Sequence, residues 1–543
     1  MAIGTVQTKY GKVAGVEAVE EKYAGITYFK GIPYAAPPVG KLRWKAPEDP
    51  ECWEGIRVCD KYGDRAMQPF PMFVDTALAQ EPYDSDFYYD EYPKCSEDCL
   101  YLNVTTGADS DTEKRPVFMW FHGGGLGGGH SYEVEFEPSE LARKGVVVVT
   151  VGHRLNSFGY LALPQLSEEQ GGISGNYGLL DEVKALDWVY ENIQAFGGDP
   201  NNITVGGQSG GTSKTGALAG SPLQKGRVRR VIHQSNLTWP GGIMGYASVG
   251  EAELTGREFL RQLGIDPDLP LEELRKLPPE KFFGSRMDFQ IGQMVCDGVC
   301  IQYREEWKNL RENASYCDFL SGGNLGEMTM RDGVFFNAEG PVTQKEYYLL
   351  AKERLGDLYE KYDFEKNFPC TEENADYMSR YMAAMGLTGF GGTMNNRYFG
   401  AYRRQHGESG HSYSYLFAHA TPCRPEEIGT DRDSAKLLSW HSSELWYTFA
   451  SLRKNENGES NVPPARPWTE LDVRLADQIS SYWANYMKNG DPNGEGLPFW
   501  PESDEIFGWM ELGDEPKGHR GCDSLMDQLM LDYLRKRGNL PEE

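Results

Sequence analysis

The most legible pattern of hydrophobic and polar positions runs from about residue 116 to 237. PVFMWFHGGG (116–125) reads as a buried strand that stops in glycines, and GVVVVTVGHR (145–154) is nearly all apolar, as a strand covered on both faces should be. NYGLLDEVKALDWVYENI (176–193) instead repeats Leu179, Leu180, Val183, Leu186, Val189 and Ile193 at steps of three and four, which predicts an amphipathic helix. NITVGG (202–207) predicts a short strand, QSGGTSKTGALAG (208–220) a helix, and RVRRVIHQS (227–235) another strand. Strands alternating with helices imply right-handed crossovers and a parallel sheet, so the fold class is α/β.

The flanks are less regular. Residues 1–60 read as short strands and hairpins, and 70–97 as an irregular acidic and aromatic stretch. Residues 250–312 read as helices, SYCDFLSGGN (315–324) as a strand end and SYSYLFAHA (412–420) as a strand. LADQISSYWANYMKNG (475–490) predicts a helix stopped by its glycine and the turn residues that follow. No repeat, low-complexity tract or long polar linker interrupts the chain, which predicts one elaborated domain over 1–543.

Composition changes this picture mainly by exclusion. Eighty-one acidic residues against 54 basic give a formal charge of −27, a surface that repels phosphate backbones and anionic membranes. Neither nucleic acid nor membrane is an expected partner. No apolar run approaches the roughly 20 residues of a membrane span, and the opening MAIGTVQTKYGKVAGVEA has no leader-like apolar run, so a cytoplasmic location is expected if this is the natural start. The ten cysteines have no accompanying histidine cluster; free, mostly buried thiols are expected, with no metal and no cofactor.

Candidate chemistry gathers at Gly207-Gln208-Ser209-Gly210-Gly211, a G-x-S-x-G between a β-branched strand and a helix start. That context is what a nucleophile elbow requires: the serine sits on a tight turn whose neighbours must lack bulk. The alternative is an ordinary glycine-rich strand-to-helix turn. His122-Gly123-Gly124-Gly125 argues against it, because a glycine loop at the end of an upstream strand lets backbone N–H groups close on one oxygen. The expected oxyanion donors are Gly124, Gly125 and Gly210.

These residues resemble carboxylesterase type B, the family of bacterial para-nitrobenzyl esterases, animal carboxylesterases and cholinesterases. FKGIPYAAPPVGKLRWKAPEDP (29–50), EDCLYLNV (97–104), FGGDPNNITVGGQSGG (196–211) and YWANYMKNGDPN (482–493) carry the likeness along most of the chain. The resemblance implies an α/β-hydrolase fold with a gorge over the serine, and a triad of Ser209, Glu327 in GGNLGEM and His441 in SWHSSELWYTF. Asp318 is the rival acid. The implied activity is hydrolysis of small carboxylic esters through an acyl-enzyme, the ester being the expected partner. Narrower natural esters (hydroxycinnamoyl, sugar-acyl or multi-ester toxins) and a non-catalytic binding protein are the alternatives. Ser235, Glu444 and an Arg43–Glu97 salt bridge are implied as scaffold, with His122 structural.

The chain also departs from the family. Gln208 stands where many relatives have Glu, Gly210 where Ala is usual, and Met67 where secreted members carry a cysteine, which leaves Cys99 without that partner. Leu126, Gln208, Tyr89, Tyr398 and Phe399 are candidate pocket residues. Phe87 and Tyr88 are aromatic neighbours of Tyr89, and Arg403 and Arg404 either border the pocket or lie on a solvated helix face.

Overall fold

The structure, a computed structural model, describes residues 3–68, 94–235, 245–283, 291, 293–331, 340–388, 392–430, 432–452 and 466–537. The alternating strands and helices build an 11-stranded sheet. Its strands are β1 (Val16–Glu17), β2 (Thr27–Pro33), β3 (Tyr101–Thr106), β4 (Arg115–Phe121), β5 (Val147–Val151), β6 (Gly198–Gln208), β7 (Val228–Gln234), β8 (Asp318–Asn324), β9 (Ser412–Phe417), β10 (Trp509–Leu512) and β11 (Lys517–His519). They lie in the order β11-β10-β9-β8-β7-β6-β4-β5-β3-β2-β1. From β5 through β4, β6, β7, β8 and β9 to β10 every pairing is parallel. The edges, β1 to β3 and β11, are antiparallel.

Side-chain alternation explains why this sheet needs cover on both faces. Val117, Met119 and Phe121 of β4 pack into a core shared with helix α1 (Tyr177–Asn192) and helix α2 (Gly210–Gly220). Phe118 and Trp120 point the other way, into a core with Leu475, Ile479, Tyr482, Trp483 and Tyr486 of helix α3 (Glu470–Asn489). The helix predicted at 176–193 therefore buries its stripe as expected. A third core, under the helices Gln344–Leu355 and Leu525–Lys536, was not legible from the sequence pattern.

The strand carrying the elbow is longer than the NITVGG pattern, because Gly198 to Asn202 join it before a register shift at Ile203. Among the described residues no helix is long and apolar enough to cross a membrane. The ten cysteines are all unpaired, Cys99 buried among them.

Candidate active site

Ser209 sits at the junction of β6 and α2 with φ 56° and ψ −122°, a backbone conformation that costs a non-glycine residue. Its N–H donates to Gln234 O at 3.0 Å, which ties the turn to the end of β7. The flanking glycines are required by contact. A Cβ at Gly207 would stand 2.5 Å from the Gly211 backbone, and one at Gly211 would stand 2.2 Å from Phe121 O. A Cβ at Gly210 would lie 2.1 Å from Gly125 O, so the glycine loop after β4 rests directly on the elbow.

Three peptides there share one feature. Gly123 O accepts from His122 Nδ1 at 3.0 Å; Gly124 O accepts from the N–H groups of Gly127 and Gly128 at 3.2 and 3.0 Å; Ser209 O accepts from Thr212 N and Oγ1 at 2.9 and 2.7 Å. In a trans peptide the N–H points opposite to the C=O. Anchoring these carbonyls turns the N–H groups of Gly124, Gly125 and Gly210 the other way. Behind the loop, the buried Lys214 of α2 donates to His122 O at 2.8 Å and lies 3.5 Å from Gly123 O.

His441 and Glu327 come from loops that follow different strands, and both are buried. His441 Nδ1 lies 3.3 Å from Glu327 Oε2. The other carboxylate oxygen, Oε1, accepts the Asn324 N–H at 2.8 Å and the Ser235 hydroxyl at 2.6 Å. His441 Nε2 accepts from Gln208 Nε2 at 3.2 Å, which puts the ring's proton on Nδ1, facing Glu327. The imidazole thus spans from a fixed carboxylate to the residue beside Ser209. Asp318, at the opposite end of β8, pairs with Arg230 at 3.2 Å and accepts the His411 N–H at 3.1 Å, so it is Glu327 that meets the histidine.

The family model described as Carboxylesterase family matches residues 3–528. The chain belongs to the carboxylesterase family. It is 31% identical over 518 residues to the fumonisin B1 esterase of Sphingopyxis macrogoltabida, covering 94% of this chain and 86% of that one. It is also 31% identical to the para-nitrobenzyl esterase of Bacillus subtilis (strain 168), covering 91% and 92%. Among solved structures, a PNB esterase superposes with a TM-score of 0.73 at 29% identity over 97% of this chain and 99% of that one. A Geobacillus stearothermophilus carboxylesterase gives 0.73 at 28% identity over 99% and 100%. The fold is that of the α/β-hydrolases, and the protein is a carboxylic-ester hydrolase.

Around this carboxylesterase's central group the supporting residues fall into place. Glu444 Oε2 accepts from Asn324 Nδ2 at 2.6 Å, and the same nitrogen donates to Trp440 O at 2.8 Å, anchoring the His441 loop to the end of β8. Burial pushes the Glu444 carboxyl up to about 8, with the nearby Glu327 adding to the effect. Arg43 grips Glu97 through two bonds of 2.6 Å. His122 stacks on His153 at 4.7 Å, and burial drives both imidazoles well below their usual range, so they stay neutral.

The pocket candidates divide. Gln208 joins the group, and Leu126 lies buried in the loop with its O accepting the Asn156 N–H at 2.6 Å. Phe399 packs edge-to-face on Phe319, near the end of β8 opposite Glu327, and Tyr398 packs on Phe507. Phe87, Tyr88 and Tyr89 lie outside the described residues. The expectation for Arg403 is corrected, because it is neither solvated nor a pocket cation. It is buried and donates to Glu408, Ser412 Oγ and the carbonyls of Ser315 and Cys317. Arg404 is tied to Glu502. Sequence reasoning passed over Lys214, whose signal was a lone cation five residues after Ser209 in a helix start of small residues.

Proposed function

We propose that this hydrolase cleaves carboxylic esters of small acyl, aryl or alkyl groups through an acyl-enzyme on Ser209, with His441 as general base and Glu327 as the orienting acid. The observation that carries this reading is the span of His441, with Glu327 at 3.3 Å from one ring nitrogen and the elbow at the other. The serine proton passes to Nε2 once Ser209 Oγ–H takes the place of the Gln208 donor, and Oγ bonds to the ester carbonyl carbon. The N–H groups of Gly124, Gly125 and Gly210 receive the oxyanion. Nε2 then gives its proton to the departing alcohol oxygen, and water repeats the sequence on the acyl-enzyme.

A narrower enzyme for a natural multi-ester is the second reading. The likeness to the fumonisin B1 esterase favours it. A para-nitrophenyl ester series with the wild type and Ser209→Ala tests the first reading. Turnover that disappears in the variant supports it. A folded wild type without turnover refutes it and moves the search to large natural esters, while turnover retained by the variant removes Ser209 from the chemistry.

A further inference from the structure

Lys214 is out of place for a lysine. Its side chain is long enough to bring the ammonium to water, yet it is fully buried under the glycine loop. Two successive carbonyls of that loop, His122 O at 2.8 Å and Gly123 O at 3.5 Å, take its protons. A buried ammonium is tolerated only with opposing charge and hydrogen bonds. Burial lowers Lys214 to about 8 and raises Glu182 of α1, also fully buried, to about 8; when ionised, Glu182 is the largest opposing charge, and Glu133 adds to it. Neither carboxylate oxygen of Glu182 has a hydrogen-bond partner among the described residues, so Glu182 acts on Lys214 through its field.

We propose that Lys214 is a positioning residue for the oxyanion loop: by tying the His122 and Gly123 carbonyls to α2, it aims the Gly124 N–H at the developing oxyanion. The geometry follows from the planar peptide. Gly123 O and Gly124 N belong to one trans unit, so holding the oxygen on the Lys214 side holds the N–H on the Ser209 side. Gly123 O also accepts from His122 Nδ1 at 3.0 Å, and the adjoining Gly124 O from Gly127 and Gly128, but those bonds lie within the loop itself. Lys214 joins the loop to α2, the helix that begins beside Ser209, and so sets donor and nucleophile in one frame. Its charge lies behind the loop and touches no reacting atom.

The inference rests on the ester-hydrolase reading of Ser209, so the assay uses a para-nitrophenyl ester that the wild type turns over and Ser209→Ala does not. Absence of that contrast is a failure of the functional reading and not of this one. Lys214→Met keeps the length of the side chain and removes its donors. The expected result is a kcat lower by about tenfold or more with KM within about twofold, because a transition-state donor is misaimed while ground-state binding is untouched. A trifluoromethyl ketone, which adds to the serine as an oxyanion mimic, should lose affinity by a similar factor. Lys214→Gln, which keeps one N–H donor without the charge, should fall between the two. Wild-type kcat in a folded Lys214→Met or Lys214→Gln, or a loss confined to KM, overturns the proposal. If neither neutral variant folds, the lysine is a requirement of folding and the positioning role is likewise rejected.

Discussion

The side-chain nitrogen of Gln208 lies 3.2 Å from Nε2 of His441 and, equally, 3.2 Å from Oγ of Ser235. Ser235 in turn donates to Glu327, and Glu327 faces Nδ1 of His441. The side chains of Gln208, Ser235, Glu327 and His441, from four separate segments, therefore close a ring, each partner restricting the rotation of the next. The amide at Gln208 matters to that ring because it donates. It can rest on Nε2 only while Nε2 is unprotonated, the state a general base needs.

Gln208→Glu should reverse this preference. A carboxylate beside Nε2 accepts a proton and favours the imidazolium, so more of the enzyme is held in the inactive form at low pH. The acidic limb of the kcat/KM–pH profile is expected to move upward by about one pH unit. Superimposable profiles for the two proteins would show that Gln208 does not address the base.

Gly210→Ala tests how closely the glycine loop sits on the elbow. The resemblance to relatives with alanine at this position suggests a harmless change. Here, however, the added Cβ would meet Gly125 O, Cα and C at 2.1–2.5 Å, all of them backbone atoms that cannot swing aside. The loop must shift; removing an oxyanion donor outright costs roughly a hundredfold to a thousandfold in kcat, and a displaced one costs less. A steady-state comparison should show at least a tenfold loss in kcat, larger than any change in KM.

Glu444→Gln should make the protein more stable at neutral and alkaline pH. Burial raises the folded carboxyl from 4.5 to about 8, so the folded state holds a proton that the unfolded state has released. Stability is then lost as pH climbs from about 4.5 toward 8. The neutral amide has no such dependence and keeps an oxygen for Asn324. Melting curves should show the variant's advantage growing across that window, and a variant that melts lower at pH 8 would contradict the assignment.

His419 gives the opposite sign. Burial alone would depress it, but Asp472 on Nε2 at 2.9 Å and Asp514 on Nδ1 at 2.6 Å outweigh that and raise it above 6.5. Asp472 is lowered from 3.8 to about 2. The histidine's contribution is complete below its unfolded value of 6.5 and fades as pH rises through the higher folded value. The aspartate's is complete above 3.8 and fades as pH falls toward about 2. His419→Asn should therefore lower the melting temperature most between about pH 4 and 6.5. A charge-assisted bond is worth about 1.5–3 kcal/mol, and the bond to the largely exposed Asp514 adds little to this because water screens it. A melting difference independent of pH would refute the pairing.

What the chain disclosed of its fold and site follows from how local each feature is. The elbow was legible because its constraints act within five residues: strand, positive-φ serine, glycines, helix. The parallel strands were legible because burial on both faces leaves them continuously apolar. Glu327 was anonymous among many carboxylates, since only the parallel alignment of β7 and β8 brings Ser235 to it, and only the family resemblance singled it out. The edge strands β1 and β11 span two and three residues, too few to show an alternation. Arg403 was placed on a pocket border or a solvated face, and Lys214 passed unnoticed, because a charged residue gives no local sign of burial; their partners lie in other segments, Cys317 for one and His122 for the other.

The central claim is that Ser209 is the nucleophile activated by His441. Labelling with an organophosphonate ester, followed by peptide mapping, reads this directly. One covalent adduct per chain is expected, on Ser209, formed in step with the loss of esterase activity and slowed severely in His441→Gln. An adduct on another residue, or full activity in protein labelled at Ser209, would contradict it.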